Sequence, residues 1–230
     1  MNYGYSDSTQ SVKLDPEDET NRYSIQLYHH LVKAVKMNKK DILEIGCGRG
    51  GGLDYINRRF APEMARGIDL DNKAVTFCNC NYPDNEISFL QGDAQNLGIE
   101  NNSFDVIINV ESSHRYPDMA AFLGEVTRIL RPGGHFLFTD FRYDHEIAQL
   151  DDYLDTLGMT LIKREDITSR VVAALDLDDE RKRSLVRKLV PGILQKTALN
   201  FAATIGSKTY NKFLSGKFVY YSYIFQKNKN

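Results

Sequence analysis

The sequence predicts an α/β fold built on a mostly parallel, doubly wound sheet of seven strands. Three observations predict it. Short apolar runs alternate with amphipathic stretches from residue 41 to residue 141, and such alternation gives parallel strands joined by helical crossovers. The first run passes directly into a glycine-rich turn, G-C-G-R-G-G-G at 46–52, with the pattern of a helix behind it. Two further apolar runs, 159–164 and 217–226, supply a sixth and a seventh strand, with a long stretch of helical periodicity between them.

In the first run, Ile42, Leu43 and Ile45 are enough for a buried parallel strand and too few for a buried helix. Glycines then turn the chain without a Cβ, so backbone can lie against a ligand. The helix that opens there, over 52–60, adds unpaired N–H groups and a positive dipole end. Gly46, Gly48 and Gly51 also satisfy G-x-G-x-x-G, so a nicotinamide or flavin dinucleotide competes as the ligand. Strand two, 66–70, ends in Asp69, 23 residues after Gly46, where a carboxylate can accept both hydroxyls of a ribose. After a helix over 72–81, strand three (87–91) leads to Asp93, placed to accept a hydrogen bond from an adenine amino group. Strand four is F-D-V-I-I-N-V at 104–110, and a helix over 119–130 ends at Arg131-Pro132-Gly133-Gly134 before strand five, 134–141.

The remaining segments form the surroundings. Residues 1–20 are polar, with Asp15, Glu17, Asp18 and Glu19 around Pro16, and read as an arm or mobile cover. From Asn21 to Met37, Tyr23, Leu27, Leu31 and Val35 recur every four residues, the pattern of an amphipathic helix. With the arm it makes a front wall over 1–37, offering Tyr23, Gln26, Tyr28 and His29 to a ligand. The core then covers 38–165. Its last helix spans 144–157, a helical cap over 166–215 covers a substrate pocket, and 216–230 returns as the final strand. In the cap, Leu185, Leu189 and Ile193 step by four, and Phe201, Tyr210 and Phe213 suit a hydrophobic acceptor.

A net charge of −2, with 42% hydrophobic and 26% charged residues, gives no sign of a nucleic-acid surface. Arg181-Lys182-Arg183 is offset by Asp176, Asp178, Asp179 and Glu180 and reads as a solvated helix face. No apolar run reaches membrane-spanning length, and Met1 to Gln10 lacks the apolar centre of a signal peptide. Cys47, Cys78 and Cys80 are read as reduced thiols in a cytoplasmic protein, and no metal site is expected.

The motifs E-I-G-C-G-R-G-G-G, G-I-D-L, G-D-A-Q-N-L, S-F-D-V-I-I-N-V and L-R-P-G-G, taken together, resemble those of class I S-adenosylmethionine-dependent methyltransferases in order and spacing. D-E-T-N-R-Y-S-I-Q-L-Y-H-H at 18–30, N-V-E-S-S-H-R-Y-P-D at 109–118 and the closing F-V-Y-Y-S-Y-I-F are similar to the bacterial phthiotriol/phenolphthiotriol dimycocerosate methyltransferase group. The resemblance implies a Rossmann-like methyltransferase sheet whose last strand is antiparallel. It implies S-adenosylmethionine as cofactor and O-methylation of a hydroxyl on a long lipid or polyketide. It also implies that Glu44 and the loop backbone from Gly46 through Cys47 and Gly48 to Gly50 hold the methionine part, and Asp69 the ribose. Asp93 with Ala94 would hold the adenine, Leu70 would pack on its ring, and the backbone of Asn109 would line the site. Glu44 also argues independently: its carboxylate repels a pyrophosphate and attracts an ammonium group.

For the chemistry, Glu111-Ser112-Ser113-His114-Arg115-Tyr116 follows strand four. His114 is the candidate base, since an imidazole exchanges protons near neutral pH. Glu111 is expected to orient it, with base and helix cap as its other possible roles, and Tyr116 to shape the pocket with Tyr23, Tyr28 and Phe201. N- or C-methylation remains open at this stage, as does a protein that binds the cofactor without transferring a methyl group.

Overall fold

The structure is a computed structural model describing residues 2–9, 12–82 and 87–229. Met1, Gln10 and Ser11 of the expected arm, residues 83–86 and Asn230 lie outside the described residues.

Helix α1 (Arg22–Val32) precedes the sheet. The core then runs β1 (Asp41–Ile45), α2 (Gly51–Phe60), β2 (Met64–Asp69), α3 (Asn72–Asn81), β3 (Ile87–Gln91), β4 (Phe104–Val110), α4 (Met119–Ile129), β5 (Leu130–Tyr143), α5 (Ile147–Asp155) and β6 (Thr160–Asp166). Helices α6 (Thr168–Leu177), α7 (Asp179–Leu189), α8 (Gly192–Phe201) and α9 (Lys208–Leu214) come before β7 (Phe218–Gln226). The seven strands lie in the order β3-β2-β1-β4-β5-β7-β6. Pairing is parallel from β3 to β5, and β7 runs antiparallel to both of its neighbours, as expected.

The pleat sorts the strand residues onto two faces. Ile42 of β1 packs with Leu27, Leu31 and Ile56 from α1 and α2, whereas Leu43 and Ile45 pack with Phe122, Val126 and Leu150 from α4 and α5. Burying each such side chain contributes about 1.5–3 kcal/mol, which makes these two layers the main source of stability. Glu44 shares the face of Ile42 and therefore points toward α1.

Several expectations need correction. The first helix ends at Val32 rather than Met37, because Val35 N turns back to Val32 O in a tight i−3 bond. The start of the chain is no mobile cover. Asn2, Gly4 and Tyr5 are buried, and the Tyr5 ring stacks on His30 at 4.2 Å. Polar composition hid this, because Tyr3 and Tyr5 bury apolar rings while the backbone bonds to α1 and α6 through Tyr5 N to Tyr23 O and Ser6 N to Arg170 O. Strand β5 begins at Leu130, so the Arg-Pro-Gly-Gly run lies within it as a register shift. The helix expected over 144–157 opens as a 3-10 turn and is α-helical only over Ile147–Asp155. Leu189 and Ile193 do not continue one stripe, since Pro191 separates α7 from α8 and both side chains are exposed. Finally, Arg181 and Arg183 pair outward with Asp178 and Asp179, while Lys182 between them faces inward and is buried.

Candidate active site

Strands β1 and β4 are neighbours whose connections lead to opposite sides, so a crevice opens at their carboxyl ends. The loop after β1 forms one wall. Gly46, Gly48 and Gly50 all adopt left-handed backbone, with φ of 76°, 54° and 73°. Gly46 N and Cys47 N donate to Ile68 O at 2.7 and 3.0 Å, and Gly48 N donates to Asp69 Oδ2 at 2.7 Å. The tip of β2 thus fixes the loop. Gly46 admits no side chain, because a Cβ there would fall on the Ser112 hydroxyl.

Glu44 is fully buried beneath this loop. Tyr28 donates its hydroxyl to Oε1 at 2.6 Å, while Oε2 is buried with no hydrogen-bond partner among the described residues. Burial pushes this carboxyl up to about 8. An orphan carboxylate oxygen at a glycine loop suits a cationic group and disfavours a pyrophosphate. Asp69, Leu70 and Asp93 follow at the carboxyl ends of β2 and β3. Leu70 is 68% exposed, leaving an apolar side chain bare beside Asp69. Asp93 is exposed and uses Oδ1 to accept from Gln95 N and Nε2, which holds its carboxyl below the ordinary range. Ala94 is buried next to it.

The other wall comes from the segment after β4. Asn109, fully buried, directs Nδ2 at Ile45 O, Ser112 Oγ and Tyr116 Oη at 2.9, 2.8 and 3.1 Å, tying the end of β1 to this segment. A 3-10 turn at Ser113–Arg115 then brings His114 over β5. Its Nδ1 lies 2.8 Å from Oδ1 of Asp140, a carboxylate with no exposed surface. Asp140 Oδ2 accepts from Ser113 Oγ at 2.7 Å and from His114 N at 2.9 Å, and Arg142 Nη1 lies at 3.1 Å. Burial alone would raise this carboxyl, but the His114 ring, Arg142 and Ser113 outweigh it and leave it at about 2. An ionised Asp140 only accepts, so the contact takes a proton on His114 Nδ1 and leaves Nε2 as the ring nitrogen that Asp140 does not engage. A cavity of about 360 Å³ opens beside His114, with Tyr116, Phe141, Tyr143, Tyr153 and Phe218 in its walls.

Comparison with known proteins places the chain in a family. Residues 43–138 match the family model described as a methyltransferase domain. A fatty-acid O-methyltransferase of Mycolicibacterium smegmatis is 39% identical over 85% of this chain and 72% of its own. A phthiotriol/phenolphthiotriol dimycocerosates methyltransferase of Mycobacterium tuberculosis is 33% identical over 99% of this chain and 85% of its own. The chain belongs to the S-adenosylmethionine-dependent methyltransferases. A crystal structure titled as a putative sarcosine dimethylglycine methyltransferase from Galdieria sulphuraria shares the fold. Its TM-score is 0.74 at 17% identity, covering 99% of this chain and 93% of that one.

In this methyltransferase the sequence-predicted residues divide into two groups. Glu44, the loop from Gly46 to Gly50, Asp69, Leu70, Asp93, Ala94 and Asn109 gather along the carboxyl ends of β1 to β4. His114 and Tyr116 line the cavity beside β5, and Tyr28 reaches this edge through its bond to Glu44. Three others lie elsewhere. Glu111 accepts from Tyr3 N at 2.7 Å and from the Tyr220 hydroxyl at 2.8 Å, with φ of +46°. Burial pushes it up to about 7, and it anchors the amino-terminal segment to β7 while Asp140 orients His114. Tyr23 meets Tyr5 through its carbonyl. Phe201 is 72% exposed, and no residue of 166–215 is among those lining the cavity. Sequence reasoning missed Asp140, Ser113 and Arg142. Asp140 had a signal: one acid ending the apolar strand H-F-L-F-T-D-F, at the ligand-binding edge of the sheet.

Proposed function

We propose that this methyltransferase methylates a hydroxyl oxygen of a lipid-like or polyketide-like small molecule, with His114 as the base. The observation that carries the proposal is the His114–Asp140 pair at the edge of an aromatic-lined cavity. An alcohol must lose its proton as the new C–O bond forms, and a positioned base contributes roughly 10²–10⁴-fold to such a step. A carboxylate acceptor arrives without that proton and has no need of the pair.

The residues fit the cofactor. Glu44 would hold its ammonium group, the glycine loop the rest of the methionine part, Asp69 the ribose, and Leu70, Asp93 and Ala94 the adenine. Bound there, S-adenosylmethionine supplies a methyl group on a sulfonium. His114 accepts the acceptor's proton at Nε2, and Asp140 stabilises the resulting imidazolium through Nδ1. Tyr116, Phe141 and Tyr153 exclude water and align the hydroxyl, and alignment contributes on the order of 7–11 kcal/mol in such reactions. The names of the two bacterial relatives support a lipid-like acceptor. We place the enzyme in the cytoplasm, in keeping with free Cys47, Cys78 and Cys80. No helix among the described residues is long and apolar enough to cross a membrane.

The test gives the purified protein S-adenosylmethionine with matched long-chain alcohols, fatty acids and amines. Formation of S-adenosylhomocysteine together with a methyl ether is the expected result. Turnover confined to acids, amines or carbon acceptors overturns the hydroxyl assignment.

A further inference from the structure

Among the α-helices α1 to α9, α8 alone buries none of its residues. At about 100° per residue, Ile193, Leu194 and Phe201 fall within one arc of its surface. They are 90%, 54% and 72% exposed. Leu189 before α8 and Ile205 after it are exposed as well. An apolar stripe of this size on open surface marks a place where something binds.

The charge around the stripe says what binds. From residue 187 to residue 217 the sequence contains six basic residues, Arg187, Lys188, Lys196, Lys208, Lys212 and Lys217, and no aspartate or glutamate, in a chain whose net charge is −2. Arg187 pairs with Glu180 of α7, and Lys212 reaches the Tyr143 hydroxyl. Lys188, Lys196, Lys208 and Lys217 are exposed, and none forms an ion pair among the described residues. Lysines beside an exposed apolar stripe are the pattern of a helix lying in the headgroup region of an anionic membrane. A second copy of the chain fits this face less well, because a two-fold contact would bring the same cations together.

We propose that α8 and its flanking turns dock this methyltransferase on the surface of an anionic phospholipid bilayer. Ile193, Leu194 and Phe201 enter the interface, and the lysines pair with phosphate groups. The docking face connects to the cavity through α9. Phe213 of that helix packs on Phe141 of the cavity wall, with ring centroids 5.7 Å apart, and Lys212 holds Tyr143. A long-chain acceptor resident in the bilayer would then be taken up beside His114. Docking itself does not depend on which atom is methylated.

The test is co-sedimentation of the full chain with phosphatidylcholine vesicles made with and without phosphatidylglycerol. Each point of roughly 1 kcal/mol per basic residue near the surface corresponds to about fivefold in affinity. The expected result is therefore binding at least about tenfold tighter to the anionic vesicles, relieved by high salt. Ile193→Ser with Phe201→Ser should lower binding about tenfold or more, and Lys188→Glu with Lys196→Glu should remove the preference for phosphatidylglycerol. All four side chains are exposed, so an unchanged unfolding temperature and unchanged turnover of a water-soluble acceptor separate lost docking from lost folding or chemistry. Equal affinity for neutral and anionic vesicles, no binding to either, or variants that bind as the parent does would overturn the proposal. So would a dimer of the parent that the Ile193→Ser, Phe201→Ser variant dissolves.

Discussion

His114 follows β4 and Asp140 lies within the adjacent strand β5, and their side chains meet at 2.8 Å between Nδ1 and Oδ1. The carboxylate is buried and ionised, and the ring keeps a quarter of its side-chain surface exposed toward the cavity. One partner is fixed so that the other presents a defined nitrogen. Asp140→Asn keeps the shape and removes the charge, so kcat should fall by about 10²–10⁴ while the affinity for S-adenosylmethionine stays within about twofold. Turnover that survives with only KM raised would assign Asp140 to substrate binding. His114→Ala should lose turnover comparably, and the double variant should be little worse than either single, because the two act as one unit.

Asp140 also links stability to acid. Its folded-state carboxyl titrates at about 2, below the ordinary range. Its stabilising contribution is therefore complete above the unfolded value near 4 and disappears as the pH falls through about 2. Acid unfolding of Asp140→Asn, followed by circular dichroism, should be less steep between those two values than that of the parent.

Glu44 predicts the opposite slope. Its carboxyl is raised to about 8, so between roughly pH 4.5 and 8 the ligand-free folded chain holds a proton that the unfolded chain has released. Stability without cofactor should decline across that window as the pH rises, and Glu44→Gln should flatten the decline. Glu111, raised to about 7, adds to the same slope, so the flattening is partial. A cation placed against Glu44 favours the ionised form, so S-adenosylmethionine should bind with release of protons and more tightly as the pH rises toward 8. Calorimetry in buffers of different ionisation heat measures the proton count. No release below pH 8 would separate Glu44 from the ammonium group.

At the tip of β2, Asp69 holds Gly48 N and Asp71 N and has lone pairs to spare for a ribose. Hydrogen bonds to a charged group contribute about 1.5–3 kcal/mol. Asp69→Ala should accordingly weaken S-adenosylmethionine by about 10- to 100-fold, with kcat at saturation much less affected. An unaltered dissociation constant in a calorimetric titration would contradict the ribose role.

The sheet and the gathering of glycines and acids along its carboxyl edge were legible in the sequence because both depend on local signals: period, glycine and acids at strand ends. The antiparallel β7 came only with the resemblance. The cavity beside His114 was legible in part. His114 stood in a polar loop, but its partner is 26 residues away in sequence, in a strand whose register no local pattern records. Glu111 is nearer in sequence to His114, yet its left-handed backbone turns the carboxylate toward Tyr3 and Tyr220. The amino-terminal segment misled for a related reason. Asp15, Glu17 and Glu19 are exposed around Pro16, but Asp18 is buried against Arg58, and Tyr3 and Tyr5 are held by long-range backbone bonds that composition does not reveal.

Gly52 lies directly against the Tyr28 ring. It opens the first turn of α2, and a Cβ there would fall within the Tyr28 ring. Tyr28 is the residue of α1 that donates to Glu44. Gly52→Ala must therefore displace the ring or the helix that carries it, and overpacking of this kind costs about 1–3 kcal/mol. In isolation, alanine would improve α2 by up to about 1 kcal/mol, so a lowered unfolding temperature can only come from the clash. Tyr28→Ala gives the ring's space back. Combined with Gly52→Ala it should restore most of the loss, leaving a coupling of about 1–3 kcal/mol between the two sites in a double-mutant cycle. Additive losses would mean that α1 yields without cost, and that Tyr28 does not define the wall over Glu44.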